Sequence, residues 1–133
     1  MAMCALLASV SVVARARVQS VWAGVYTEAQ AAAGEKIYYD RCATCHGDDL
    51  GGVEKAPALV GSPFLDSWDG KTLRKLLERI ESMPPDEPAA TSTPEAVQVL
   101  AFLLHASDIP AGTAALPADR GALATITFTR VKP

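Results

Sequence analysis

Cys42-Ala43-Thr44-Cys45-His46 constrains this chain more than any other stretch. Two thiols three residues apart lie on one helical turn and an imidazole follows directly, so three metal-competent donors are presented together. Three chemistries use such a set. A structural zinc site needs four protein ligands, and beyond the motif only His105, on a distant helix, is left to supply the fourth. Thiol exchange wants C-x-x-C at a helix N-terminus in a βαβ setting, whereas this motif closes a helical segment and no parallel-sheet pattern accompanies it. C-x-x-C-H is also the spacing for covalent attachment of haem c: the thiols add across the porphyrin vinyl groups and the histidine becomes the proximal ligand. The expectation is one haem c bonded to Cys42 and Cys45, with His46 on the iron.

The opposite ligand is sought among the methionines. Met83-Pro84-Pro85-Asp86-Glu87-Pro88 forces an extended strap, because proline fixes its own φ and lacks an N–H. Met83 is therefore presented from stiff backbone. Met1 and Met3 fall in an expected leader, which leaves Met83 as the thioether of the mature chain. The plain alternative is a hydrophobe filling a gap. His105 is the rival ligand, although an imidazole in the last turn of a helix is already favoured there by the helix dipole. Methionine/histidine ligation raises a haem potential, and two filled axial positions leave no place for substrate. The expected role is a one-electron carrier and not an enzyme. A haem enzyme or ligand sensor with a labile Met83 is the alternative.

The 133 residues suit one domain, and half of them are hydrophobic, which excludes a disordered chain. A net charge of −3 without any Lys/Arg run excludes a nucleic-acid partner. Ala5 to Ala14 is an uncharged apolar run, shorter than the roughly 20 residues a bilayer span needs. No integral membrane span is expected. The run suits the apolar region of an export leader, with a cleavage site at Val21-Trp22-Ala23, although Arg15 and Arg17 follow it where basic residues ordinarily precede. Cys4 has no apolar run ahead of it, which argues against lipid modification. The expected division is a leader over residues 1–23, a haem domain over 24–112 and a C-terminal extension over 113–133, located in the periplasm. Cleavage after Ala23 leaves 10 basic against 15 acidic side chains, and such an acidic surface favours partners with a basic docking patch.

Four helices are expected, making an all-α class. Thr27 and Gln30 read as a capping box opening a helix to about Asp40. Gly34 inside it costs about 1 kcal/mol against Ala unless another backbone packs closely there. Ser62 to Trp68 forms a short helix that puts Phe64 and Trp68 on one face. Both are ordinary core in one reading; in the other, Trp68 packs on the haem and offers its indole N–H to a propionate. Asp69 caps a helix from Lys71 to about Ser82, with Leu73, Leu76, Leu77 and Ile80 as its apolar stripe. Thr93 caps the last helix, with Pro94 in its first turn, and its wide apolar face implies burial. Ile126 and Phe128 alternate with threonines as a short strand would, with no partner evident in this chain.

The frame of Gly34, Tyr38, Cys42-x-x-Cys45-His46, Met83 on a proline strap and a last helix carrying Phe102 resembles a class I-type cytochrome c. More narrowly, His46-Gly47 with Asp49-Leu50, Ala56-Pro57-Ala58-Leu59, Phe64-x-x-x-Trp68, Met83-Pro84-Pro85 and Ile109-Pro110-Ala111-Gly112 are similar to the c-type cytochrome domains that accompany quinoprotein (PQQ) alcohol dehydrogenases, fused or as separate subunits. The resemblance covers Thr27 to Pro133. It implies a small cytochrome c-like helical fold wrapped around one covalent haem, with an extended C-terminal tail. The first and last helices should cross near the haem, with Gly34 allowing close approach to the Phe102 side. The Pro57 carbonyl should accept the His46 Nδ1 hydrogen, and Met83 should be the distal ligand. The implied partners are redox proteins: a quinoprotein dehydrogenase as donor and another cytochrome or an oxidase as acceptor, or a dehydrogenase complex in which the domain is a fixed subunit.

Overall fold

A computed structural model describes residues 17–133. Cys4, the apolar run and Arg15 lie outside the described residues. The elements in order are β1 (Gln19–Ser20), a 3-10 turn (Val21–Ala23), α1 (Glu28–Arg41), α2 (Ala43–His46), α3 (Gly61–Trp68), α4 (Leu73–Glu81), α5 (Thr93–Ala106), α6 (Arg120–Leu123) and β2 (Ile126–Thr127).

α1 opens as its sequence dictates. The Thr27 hydroxyl accepts from Gln30 N at 3.3 Å, and Gln30 Oε1 accepts from Thr27 N at 3.1 Å. Gln30 does more than cap: its amide also bonds both backbone groups of Leu116, at 2.8 and 3.0 Å, and so ties the helix to the C-terminal segment. Ala31, Gly34 and Tyr38 form the buried face of α1, which packs on α5 more extensively than any other pair of elements. At Gly34 a Cβ would lie 1.8 Å from Gln98 O, so the two helices meet there backbone to backbone. The contact is one turn before Phe102, whose ring packs instead against Tyr38 at 5.4 Å between centroids. α5 is buried over eight of its 14 residues, as its all-round apolar sequence requires.

Three expectations are corrected by long-range contacts. The fourth helix begins at Leu73 with Thr72 before it, not at Lys71 behind an Asp69 cap. A turn at Asp69–Gly70 instead leads into pairing with the C-terminal segment: Gly70 N donates to Phe128 O, Phe128 N donates to Lys71 O, and Thr72 bridges Thr127. Asp69 accepts from Arg130 N at 2.9 Å. The last helix is preceded by Ser92, whose N–H donates to Glu95 Oε2 at 2.9 Å, while Thr93 donates its hydroxyl to Glu81. The C-terminal strand does have a partner in this chain: β2 pairs parallel with β1, Gln19 opposite Ile126 and Ser20 opposite Thr127.

The tail therefore belongs to the core. Leu116, Leu123, Ile126 and Phe128 are buried with it, and Phe128 meets Phe64 edge to face at 5.9 Å. The expected leader boundary at Ala23 falls just after the β1 strand and the 3-10 turn. Gly34→Ala should test the helix crossing: the added methyl meets backbone that cannot yield, and a loss of about 2 kcal/mol or more is expected from thermal unfolding.

Candidate cofactor cleft

Cys42 ends α1 by donating its N–H to Tyr38 O at 2.8 Å, and its own carbonyl accepts from Cys45 N and His46 N. The pentapeptide is thus a single helical turn hung from the end of α1. Tyr38 steadies the same turn, donating its hydroxyl to Gly47 O at 2.7 Å. Burial pushes the Tyr38 phenol up to about 12, which keeps it a donor.

The chain then folds back. Val53 and Ala56 exchange backbone hydrogen bonds, and Gly52 N donates to His46 O at 2.8 Å. Gly52 sits at positive φ, and a Cβ there would lie 2.6 Å from Ala56 O and 2.8 Å from the Pro57 carbonyl carbon. This tight return brings Pro57 O to 2.9 Å from His46 Nδ1. A carbonyl can only accept, so Nδ1 carries the hydrogen, and in the neutral ring Nε2 is the nitrogen left to ligate.

Cys42, Cys45, His46, Pro57, Trp68 and Met83 all line one cleft of about 960 Å³. That is at the upper end of small-molecule and cofactor sites. Tyr38, Leu76, Ile80, Val99 and Leu103 contribute to its walls from α1, α4 and α5. Of the aromatic pair on α3, Phe64 is buried and Trp68 half-buried, with Lys71 Nζ 5.3 Å from the Trp68 ring centre. Met83 follows the end of α4, its N–H on Ile80 O at 3.1 Å. His105 does not line the cleft; its Nδ1 lies 3.5 Å from Glu28 Oε2.

The cleft also has features that sequence reasoning missed. Arg41, Lys55, Lys71 and Arg79 line it against a single acid, Glu87, although the chain carries a net charge of −3. The acidic character expected from composition does not describe this face. Arg41 pairs with Glu95 at 2.9 Å and reaches Ala90 O, joining the end of α1 to the start of α5 and to the strap after Met83.

No disulfide joins Cys42 and Cys45. Burial pushes the Cys42 thiol up, Arg41 partly opposes this, and Cys45 adds to it. A redox-active C-x-x-C needs its nucleophilic thiol lowered, so the shift runs against thiol exchange. Two thiols, an imidazole with an oriented free nitrogen and a thioether instead open on one largely apolar cleft. The imidazole and thioether suit haem iron, and the two thiols suit attachment to its porphyrin.

Helices packed around this cleft, with C-x-x-C-H on its wall, define a cytochrome c domain of class I type. Residues 29–103 match the family described as cytochrome C oxidase, cbb3-type, subunit III, and the chain belongs to that family. It is 33% identical over 82 residues to the Cbb3-type cytochrome c oxidase subunit CcoP of Rubrivivax gelatinosus, an alignment covering 59% of this chain and 27% of that protein. The chain thus spans about a quarter of that relative's length. The sulfane dehydrogenase SoxCD from Paracoccus pantotrophus aligns with a TM-score of 0.49 and 19% identity, over 85% of this chain and 60% of that one. Family membership implies haem c and a role in electron transfer. Among the described residues no helix is long and apolar enough to cross a membrane.

The anchoring of Glu95 by Ser92 and Arg41 should be visible in acid. The Ser92 N–H and hydroxyl, then Arg41, hold Glu95 down to about 2 from an ordinary 4.5. A carboxylate whose folded pKa is depressed stabilises the fold above its unfolded value, and that contribution is lost as pH falls through the folded value. Thermal midpoints should therefore fall between about pH 4.5 and 2, and less steeply in Glu95→Gln than in the parent chain.

Proposed function

We propose that this chain is an exported monohaem electron carrier, with haem c bonded to Cys42 and Cys45 and the iron held by His46 and Met83. The observation that carries this reading is the convergence of those four side chains on one cleft, with His46 already oriented by Pro57. When bound, the haem supplies one-electron exchange between Fe(III) and Fe(II).

The chain's own residues prepare the site. The Pro57 carbonyl fixes the His46 tautomer and raises its basicity, as hydrogen-bonded partners of ligating histidines do. The proline strap carries Met83 to the cleft at little entropic cost, since Pro84 and Pro85 are stiff before ligation. Leu76, Ile80, Val99 and Leu103 keep water from the cleft, which disfavours the more highly charged ferric state and, with Met/His ligation, raises the potential. Trp68 and the cations Lys71 and Arg79 lie where propionates would find hydrogen-bond and charge partners.

The redox partners are proteins: a quinoprotein dehydrogenase as donor and another cytochrome or an oxidase as acceptor, met in the periplasm. A second reading keeps the same site but makes the domain a fixed module of a larger redox assembly. The relative that is named as an oxidase subunit favours it, because the match falls within only 27% of that protein. Co-purification of the native protein separates the two: a free carrier elutes alone, whereas a fixed module elutes with its oxidoreductase.

Met83→Ala should abolish the sulfur-to-iron charge-transfer band of the oxidised protein, and His105→Ala should retain it; the reverse pattern excludes Met83 as ligand. Chain made without haem-attachment machinery should lack a cooperative thermal transition, because so wide a cleft leaves the core incomplete. A sharp unfolding transition in that material argues against a haem-dependent core.

A further inference from the structure

The segment Gln19–Ala23 is built into the folded domain. Gln19 N donates to Thr125 O at 2.8 Å, and Trp22 Nε1 donates to Thr129 O at 2.8 Å. Ser20 Oγ lies 3.1 Å from Thr129 Oγ1, and Val21 is 0% exposed. Together with the parallel pairing of β1 and β2, these contacts clasp the C-terminal segment. Without residues 19–23, β2 loses its parallel partner and the packing around Val21 opens.

A leader peptidase selects small residues at the third and first positions before the cut. With alanine at both positions the pattern occurs once before Gly24, at Ala14-Arg15-Ala16, which overlaps the end of the apolar run; the looser Val-x-Ala form occurs at Val12-Val13-Ala14 and at Val21-Trp22-Ala23. Cleavage precedes folding in the exported chain, so accessibility in the folded state does not choose between them. The difference lies in what the mature domain keeps. Cutting after Ala23 discards β1, Val21 and Trp22; cutting after Ala16 retains the whole clasp.

We infer that the Ala16–Arg17 bond is the processing site, so that the mature protein begins two residues before β1. Water adds across that amide: the new Ala16 carboxylate departs with the leader, and Arg17 gains the free α-amino group. This inference rests on the export reading above and moves the boundary from residue 23 to residue 16. Arg17 stays with the mature chain, and the C-terminal segment is held by the new N-terminus instead of trailing as a separate extension.

The test is the intact mass of the holo-protein recovered after expressing the full chain in a bacterium that exports and attaches haem c. A protein beginning at Arg17 is expected; one beginning at Gly24, or one retaining Met1, overturns the assignment. Chains starting at Arg17 and at Gly24 should also be exported behind the same foreign leader. The shorter one should melt at least about 5 °C lower or accumulate several-fold less, and equal melting with equal yield refutes the clasp. Haem absorbance is read separately on the same samples, and its loss counts against the electron-carrier reading alone.

Discussion

The backbone contact between Gly34 and Gln98 sets the position of almost everything at the cleft. From it, α1 runs one turn to Tyr38 and a second to Cys42, so the register of the helix crossing is passed along a rigid rod to the first thiol. Tyr38 lies midway and holds Gly47 O, just beyond His46. A shift of α1 along α5 would carry both thiols and the imidazole with it. The side-chain-free position is what makes the register unique, because no other residue lets the two helices come so close.

A second chain of contacts orients what the first one places. The His46 ring could rotate about its own bonds, but Pro57 O takes its Nδ1 hydrogen. Pro57 is in turn held by the narrow return at Gly52 and the Val53–Ala56 pairing. Met83 arrives independently, at the end of α4, whose Leu73, Leu76 and Leu77 are anchored in the core. Thiols and imidazole therefore reach the cleft from the end of α1 with the Pro57 loop folded back on them, and the thioether reaches it separately from the end of α4.

Local patterns were legible in the chain, and distant pairings were not. The Thr27–Gln30 box and the leucine stripe of α4 depend on residues a few positions apart, and both are present; Gly34 marked a close approach through its lack of a side chain, and the backbone that meets it lies at Gln98 on α5. The cap at Asp69 failed because residues 70–72 have another use, pairing with the chain near Phe128. The strand at Ile126 lacked an evident partner because its partner lies over a hundred residues away, in a stretch whose composition reads as leader. At the cleft, the C-x-x-C-H spacing and the proline strap marked the donors. The Gln30 tie to Leu116 and the cations around the cleft had no periodic or motif signal to mark them.

Those cations illustrate why net charge is a poor guide to a particular face. At physiological ionic strength the Debye length is about 8 Å, so charges on the far side of the domain are largely screened from anything approaching the cleft. The local set, Arg41, Lys55, Lys71 and Arg79 with Glu87, then determines the field at short range. The total of −3 governs colloidal repulsion at longer distance. The two are not in conflict, because α4 alternates faces: its leucines enter the core while Arg79 is carried to the cleft edge by the same helical period. The periodicity that builds the apolar wall thus also sets the charge at its margin.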